Sequence, residues 1–460
     1  VVRTVSTGNR EHKGYLYLPI ETKVRELDAK ILLACVAAER GFSPVIGELK
    51  ELRGNLLAWP EGHVLFKAAL KTSRDRFRSY REYGHSISMM CEEGLVYLDK
   101  ETYQRTKVHP EALQYVDLFL AWGAEQKEAV VEKYGEISGR IAAVGNPRMD
   151  LLRREFRDLW RSEVDQLRRR FGPFIMVNTN FGVANFYQGT QAMESKYENV
   201  GMIRNESDRA VFRERVEFQR SLIRHLKDLV IAMSRRFPGH RVVVRPHPSE
   251  KHEFWRESFD ACENVDVVFE GGIVPWLAAC DLLVENGCTT AIEAWMLDRP
   301  VVEYRPCRDD RFEPEVTRLV SYEADDDADA LSLVERLLES GGAPAPKSAR
   351  LERYLSRTDG CLSSEAIIEH VSQLQETRGG RPGEAALTGH RHRGGVGRLL
   401  RRLKDNRSRR TQYEKQKFPG LEKEEIEGFL CSLRQVSGRF GSVRVEQVPQ
   451  TSTCYRLISG

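Results

Sequence analysis

The chain has 460 residues, more than one hydrophobic core usually serves, so two main domains are expected. With 41% hydrophobic and 30% charged residues it has the make-up of a globular protein, which excludes a disordered or fibrous chain. Lys and Arg number 71 against 68 Asp and Glu, and a formal charge of +3 is too small a basic excess for a dedicated nucleic-acid binder.

No apolar run is long enough to span a bilayer, and the polar opening VVRTVSTGNREHKG lacks the pattern of a secretory signal. The nine cysteines (Cys35, Cys91, Cys262, Cys280, Cys288, Cys307, Cys361, Cys431, Cys454) are scattered and form no CxxC, so neither a disulfide framework nor a zinc site is expected. A cytoplasmic protein without metal or other cofactor is the expectation.

From Gly14 the chain reads as strands alternating with helices. YLYLPI (15–20) is a strand candidate, followed by a helix over Lys23–Glu39 with Val24, Leu27, Ile31, Leu32 and Cys35 at helical spacing and Gly41 at its stop. SPVIGE (43–48) is a second strand, and a further helix follows it. HSISMMCEEG (85–94), VDLFLAWG (116–123) and RIAAVGNPRMD (140–150) predict later strands that empty into turns, with a helix over Glu125–Tyr134. The charged stretch 151–172 predicts a linking helix. A second series begins with PFIMVNTNFG (173–182) and an amphipathic helix over Arg209–Phe237. RVVVRPHPSE (241–250), VDVVFEGG, DLLVENG (281–287), a helix over Thr289–Leu297 and PVVEYRP (300–306) continue it.

This alternation predicts an α/β chain with two Rossmann-like domains facing a cleft, at 14–150 and 173–375. Gly, Arg and Pro dominate 376–411, which predicts a basic flexible linker, and 412–460 reads as a small appendage of a helix and strands. Within the linker (395–410), Val396, Leu399, Leu400 and Leu403 share a face amid arginines, as in helices that lie on anionic bilayers. A disordered basic linker is the competing expectation.

Arg245-Pro246-His247-Pro248 stands directly after the strand RVVV, where open α/β sheets bind ligands. The prolines restrict the backbone and give His247 a fixed direction beside Arg245, which suits contact with a phosphate or protonation of a leaving phosphate. The bland alternative is a turn with an incidental histidine. Asn286, Gly287, Thr289 and Thr290 form a glycine turn opening a helix with hydroxylated first residues, an arrangement suited to an anion. Plain capping by Thr289, completed by Glu293, competes with it.

Cys91-Glu92-Glu93-Gly94 sets two carboxylates at a strand end, where one facing a cleft would serve as base or nucleophile; a solvated acidic turn is the alternative. Asn178, Thr179 and Asn180 are candidates for lining the cleft. Gly145-Asn146-Pro147-Arg148 reads as a hinge; Glu21, Lys23 and Arg25 follow the first strand and are placed to reach an acceptor, with a solvated first helical turn as the favoured alternative. His63, His85, His109 and His252 show no metal-ligand spacing. GxGxxG, the P-loop and GxSxG do not occur.

The EEG and HP features resemble the acid-acid-Gly and His-Pro motifs of bacterial sialyltransferases, two-domain GT-B enzymes that use CMP-activated sugars. That resemblance implies Glu93 as catalytic base with Glu92 in reserve, His247 as phosphate ligand or acid, and Thr289 and Thr290 on the phosphate, where the family favours serine. More widely, YLPIETKVRELDAKILLA, EEGLVY, VGNPRMDLL, NTNF, RPHPSE and ENGCTTAIEAW are similar to bacterial surface-carbohydrate biosynthesis proteins, from about Gly14 to Leu374. The HP feature is also similar to that of capsule Kdo transferases and teichoic-acid glycerophosphotransferases. The implied activity moves a sugar, an ulosonic acid from a CMP donor, onto a glycan or lipid-linked glycan acceptor. A glycerophosphotransferase, a UDP-sugar 2-epimerase and a non-catalytic partner in a polysaccharide-synthesis complex are the alternatives.

Overall fold

A computed structural model describes residues 12–95, 97, 100–346, 348–378 and 417–460, so the expected membrane-surface helix at 395–410 lies outside the described residues. Two sheets carry the fold. In the first, β1 (Tyr15–Ile20), β2 (Ser43–Glu48), β3 (Gly62–Phe66), β4 (Ser86–Met89), β5 (Leu118–Ala121) and β6 (Ile141–Ala143) run parallel in the order β2-β1-β3-β4-β5-β6. β1 is buried throughout, as a parallel strand covered by helices on both faces must be, which is why it reads as a continuous apolar run.

The second sheet is also parallel. β7 (Phe174–Asn178), β8 (Arg241–Arg245), β9 (Val265–Val267), β10 (Leu282–Glu285), β11 (Val301–Tyr304) and β12 (Tyr322–Ala324) lie in the order β12-β11-β10-β7-β8-β9. The order reverses between β1 and β3 in one sheet and between β7 and β10 in the other. Outside the strand ends at those reversals the departing loops splay apart and leave a crevice.

Helices α1 (Lys23–Glu39), α2 (Arg161–Phe171), α3 (Glu206–Arg236), α4 (Ile273–Ala279) and α5 (Thr290–Met296) cover the sheets. The expected linker helix is shorter than its charged stretch: a 3-10 segment over Arg154–Trp160 precedes α2, and Gly172 ends it at φ 66°. Phe171, the last residue of α2, packs its ring 5.4 Å from that of Trp276 on α4.

Past the second domain the chain returns to the first. Buried Asp150 accepts from the N–H groups of Ser363 and Ser364 and from the Ser364 hydroxyl, each at 2.8 Å, and so satisfies the start of α6 (Ser363–Thr377). The last segment is bound in further than the word appendage conveys. Its helix α7 (Lys423–Ser437) buries Ile426, Leu430 and Leu433 in the core around α1. Its strands β13 (Val443–Gln447) and β14 (Tyr455–Ser459) extend the first sheet, β14 pairing antiparallel with β2. With α6 and α7 both against it, α1 is apolar on most sides and not on one stripe.

Among the described residues no helix is long and apolar enough to cross a membrane, and no group of three or more His, Cys, Asp or Glu is placed to hold a metal ion.

Candidate functional site

The C-terminal ends of β1, β3 and β4 face those of β7, β8 and β10 across a cleft. On the first wall, the EEG turn after β4 needs its glycine: a Cβ on Gly94 would stand 2.3 Å from Gln126 Nε2 and 2.8 Å from Trp122 Cδ1. Those neighbours are themselves held. Trp122 donates its ring N–H to the Cys91 carbonyl at 2.6 Å, and Gln126 accepts from the Trp122 backbone and donates to the Tyr103 hydroxyl.

The turn sends its two carboxylates into different surroundings. Glu92 is 7% exposed, with one oxygen 3.5 Å from the buried Lys30 ammonium. Glu93 opens to the cleft, 52% of its side chain exposed, between Lys107 at 2.8 Å and Arg25 at 3.3 Å. Burial opposes its ionisation, but Lys107, Arg25 and Lys67 outweigh burial and hold the carboxyl at about 2. Arg25, for which the sequence favours a solvated turn over a place at the acceptor, also donates to the Glu92 carbonyl at 3.0 Å.

On the second wall, Ser249 donates its backbone N–H to His247 Nδ1 at 3.2 Å, and the Ser249 hydroxyl lies 2.7 Å from the same atom. An Nδ1 that accepts a backbone N–H carries no proton, so the neutral ring bears its proton on Nε2 and presents a donor. Desolvation, then the charge of Arg25, lowers the imidazole to about 4 against the opposing charge of Glu93. Gly182 permits this packing, since a Cβ there would lie 2.4 Å from the Ser249 hydroxyl.

The last residue of RPHPSE organises the loop, and the sequence reading passes over it. Glu250, buried, accepts through Oε1 from the Thr179 hydroxyl (2.7 Å), the Phe181 N–H (3.0 Å) and the His247 N–H (3.2 Å). Its Oε2 takes Trp255 Nε1 at 2.8 Å. One carboxylate thus ties the loop after β7 to the loop after β8. Thr179 is spent in that bond, and Asn180 donates to the Gly287 carbonyl at 3.0 Å. Asn178 is buried, with its Oδ1 unpartnered among the described residues.

Other expected residues have different employment. Arg245 donates to the carbonyls of Glu270 (2.7 Å) and Gly271 (3.3 Å), and its guanidinium lies 4.9 Å from the Trp276 ring centroid, so it braces the 270–271 turn. Burial lowers it to about 10. At the turn after β10, the Cys288 N–H is taken by Glu285 Oε2 at 2.5 Å, which removes one backbone donor from the anion site expected there. The capping alternative does not hold either: Thr289 makes no side-chain cap bond, and the Glu293 carboxylate is claimed by Arg148 from the other domain. The Thr290 hydroxyl is buried beside the Cys288 thiol. Arg148, read as part of a hinge, therefore spans the cleft, and it also reaches the Glu92 carbonyl at 3.4 Å. Val24 (68% exposed) and Phe269 (37% exposed) leave apolar surface near the same gap, the Val24 carbonyl lying 4.0 Å from where a Gly272 Cβ would be.

No family model matches the chain, and no curated protein matches it in sequence. Solved structures do. The chain is similar to the UDP-GlcNAc 2-epimerase of Neisseria meningitidis bound to UDP-GlcNAc, with TM-score 0.50 and 11% identity over 78% of this chain and 100% of the other. The fold is of the GT-B type. Similarity extends to the S. aureus MnaA–UDP structure (TM-score 0.45, 13% identity, 81% of this chain and all of the other). It extends also to Anabaena Alr3699/HepE in complex with UDP-glucose (TM-score 0.43, 11% identity, 80% of this chain and all of the other). At such identities the likeness is one of fold, and these structures are not of the sialyltransferases whose motifs the sequence resembles.

Proposed function

We propose that the chain is an enzyme acting on a nucleotide-activated sugar in this cleft, with a UDP-sugar as substrate and inversion at C2 of the sugar as the reaction. The observation that carries the reading is the facing of unlike groups. A neutral imidazole with its proton on Nε2 stands on one wall, and two carboxylates in unlike surroundings stand on the other. Taking a proton from C2 and returning one to its opposite face requires a proton acceptor on one side of the sugar and a proton donor on the other, which the carboxylate wall and the protonated Nε2 of His247 offer. His247 Nε2–H is a donor for the phosphate oxygen that carries charge as the C1–O bond weakens. Glu93 is held at about 2 between Lys107 and Arg25, which makes it a weak base. The Neisseria epimerase of the same fold holds UDP-GlcNAc, which supports UDP over the CMP donor that the motifs imply.

The test is proton NMR of the protein with UDP-, CMP- and GDP-sugars in D2O. The expected result is a C2 epimer of one UDP-sugar carrying deuterium at C2, lost in His247→Ala. Release of free nucleotide only when a glycan acceptor is added, without deuterium at C2, would replace this reading with sugar transfer. The absence of nucleotide binding in a thermal-shift assay would favour the non-catalytic alternative.

A further inference from the structure

β10 and β11 carry glutamates at one register position, Glu285 beside Glu303, and in a parallel pair such residues put their side chains on the same face. Both are closed to solvent, at 0% and 1% exposure. One oxygen of each, Glu285 Oε1 and Glu303 Oε2, is buried without a partner among the described residues. Ionised carboxylates are acceptors only, so neither can satisfy the other, and two like charges side by side in a dry interior do not both persist.

The nearby cations are already paired. Arg305, two residues beyond Glu303, is held by Glu313 at 2.8 Å and by Glu323, which follows Glu303 in the same register row, at 2.7 Å. Arg318 pairs with Asp310 at 2.9 Å. The Thr317 hydroxyl, next to Glu303, donates to the Pro314 carbonyl at 3.0 Å. From the turn after β10 the titratable neighbour is the Cys288 thiol, pushed up by burial and by the charge of Glu285, and from β7 the neighbour is the uncharged Asn178. Burial, then the charge of Glu303, raises Glu285 well above the usual carboxylate range, and burial raises Glu303 to about 7.

We infer that Glu285 and Glu303 share one proton, the O–H of one donating to the other, and that Glu303 is thereby a positioning residue for the turn after β10. Glu285 holds that turn by accepting the Cys288 N–H, and the turn stands where the strand order of the second sheet reverses. With the proton the pair carries one negative charge, and without it two. A diphosphate bound at the turn is repelled by the second charge, so its binding and the protonation of the pair strengthen each other. For that ligand the inference rests on the function proposed above.

Two measurements keep the proton and the ligand apart. Infrared difference spectra between the wild type and Glu303→Gln, at about pH 7, read the carbonyl stretch of a protonated carboxylic acid. The band is expected in the wild type and lost in the variant, whose amide still donates to Glu285 but cannot ionise. No band in the wild type, or an equal band in both proteins, would overturn the shared proton. Calorimetry then uses UDP-N-acetylglucosamine, whose diphosphate lacks the secondary ionisation near about 6 of a phosphate monoester. Its affinity for the wild type is expected to fall about fivefold between about pH 6 and about pH 8.5, and to stay level in Glu303→Gln. The same pH dependence in both proteins would overturn the positioning role. A band lost in Glu303→Gln, in a protein that binds no nucleotide at either pH, would uphold the shared proton and sink the nucleotide reading. Melting curves check the fold; should Glu303→Gln unfold, Glu285→Gln takes its place in both measurements.

Discussion

At His247 the proton is placed by a backbone N–H, and the working form of the ring is neutral over the whole physiological range because its pKa lies near 4. His247→Ala is expected to lower kcat by about 10²–10⁴ with KM changed less, the range for loss of a positioned proton donor. Glu93→Gln separates binding from chemistry. The carboxylate neutralises Lys107 and Arg25, so removing its charge frees both cations for an anionic ligand. A few-fold tighter Kd for UDP, measured by calorimetry and shrinking with salt, is expected; weaker binding would show that Glu93 touches the ligand directly. His63 gives a pH signature of stability. Its ring is fully buried between the hydroxyls of Ser86 (2.8 Å) and Ser88 (2.7 Å), and burial lowers it to about 3. Below about 6.5 the unfolded chain takes up a proton there that the folded chain refuses. Stability from this residue is therefore present above 6.5 and lost as pH falls, by about 2 kcal/mol at pH 5. Denaturant midpoints at pH 7 and pH 5 check this, with the difference shrinking in His63→Gln.

At the scale of elements, the site depends on two loops that are locked from below. Glu250 joins the loops after β7 and β8, and Glu250→Ala strands the donors of Thr179, Phe181, His247 and Trp255. A loss of about 3 kcal/mol or more is expected, together with activity lost by misplacement of His247; Glu250→Gln, which keeps an acceptor oxygen, should recover part of both. The RPHP motif is legible in the sequence because two prolines flank a histidine at a strand end. Glu250 is not, because its partners lie on β7's loop and on a helix, and no spacing rule links residue 250 to residues 179 and 181. The EEG motif is likewise visible while the reason for its glycine is not. Trp122 and Gln126 come from the turn after β5 and the helix that follows it, and only their packing excludes a Cβ at Gly94.

At the scale of the molecule, the two domains meet through Arg148 and Glu293, with side-chain exposures of 11% and 3%. Arg148→Met leaves Glu293 buried without its counter-charge, and a cost of about 3–5 kcal/mol is expected in chemical denaturation, partly restored in the double variant with Glu293→Gln. Removal of residues 418–460 is expected to yield an insoluble chain, since it uncovers the core around α1 and leaves β2 as a sheet edge. A truncated protein that stays monomeric and keeps its melting temperature would show the segment to be dispensable.

The sequence by itself determined the two α/β series, the course of α1 and most strands, and the positions of the EEG and RPHP motifs at strand ends. It could do so because helix and strand periodicity, proline and glycine are local signals. Tertiary structure alone decided that Arg25 stands in the cleft, that Arg245 braces a turn, that Arg148 takes Glu293 from its helix start, and that the last strand joins the first sheet. Each of those depends on charges or hydrogen bonds between residues far apart in the chain, 145 positions in the case of Arg148 and Glu293. The energy that selects such partners comes from burying them together, and that is settled only when the domains close on one another.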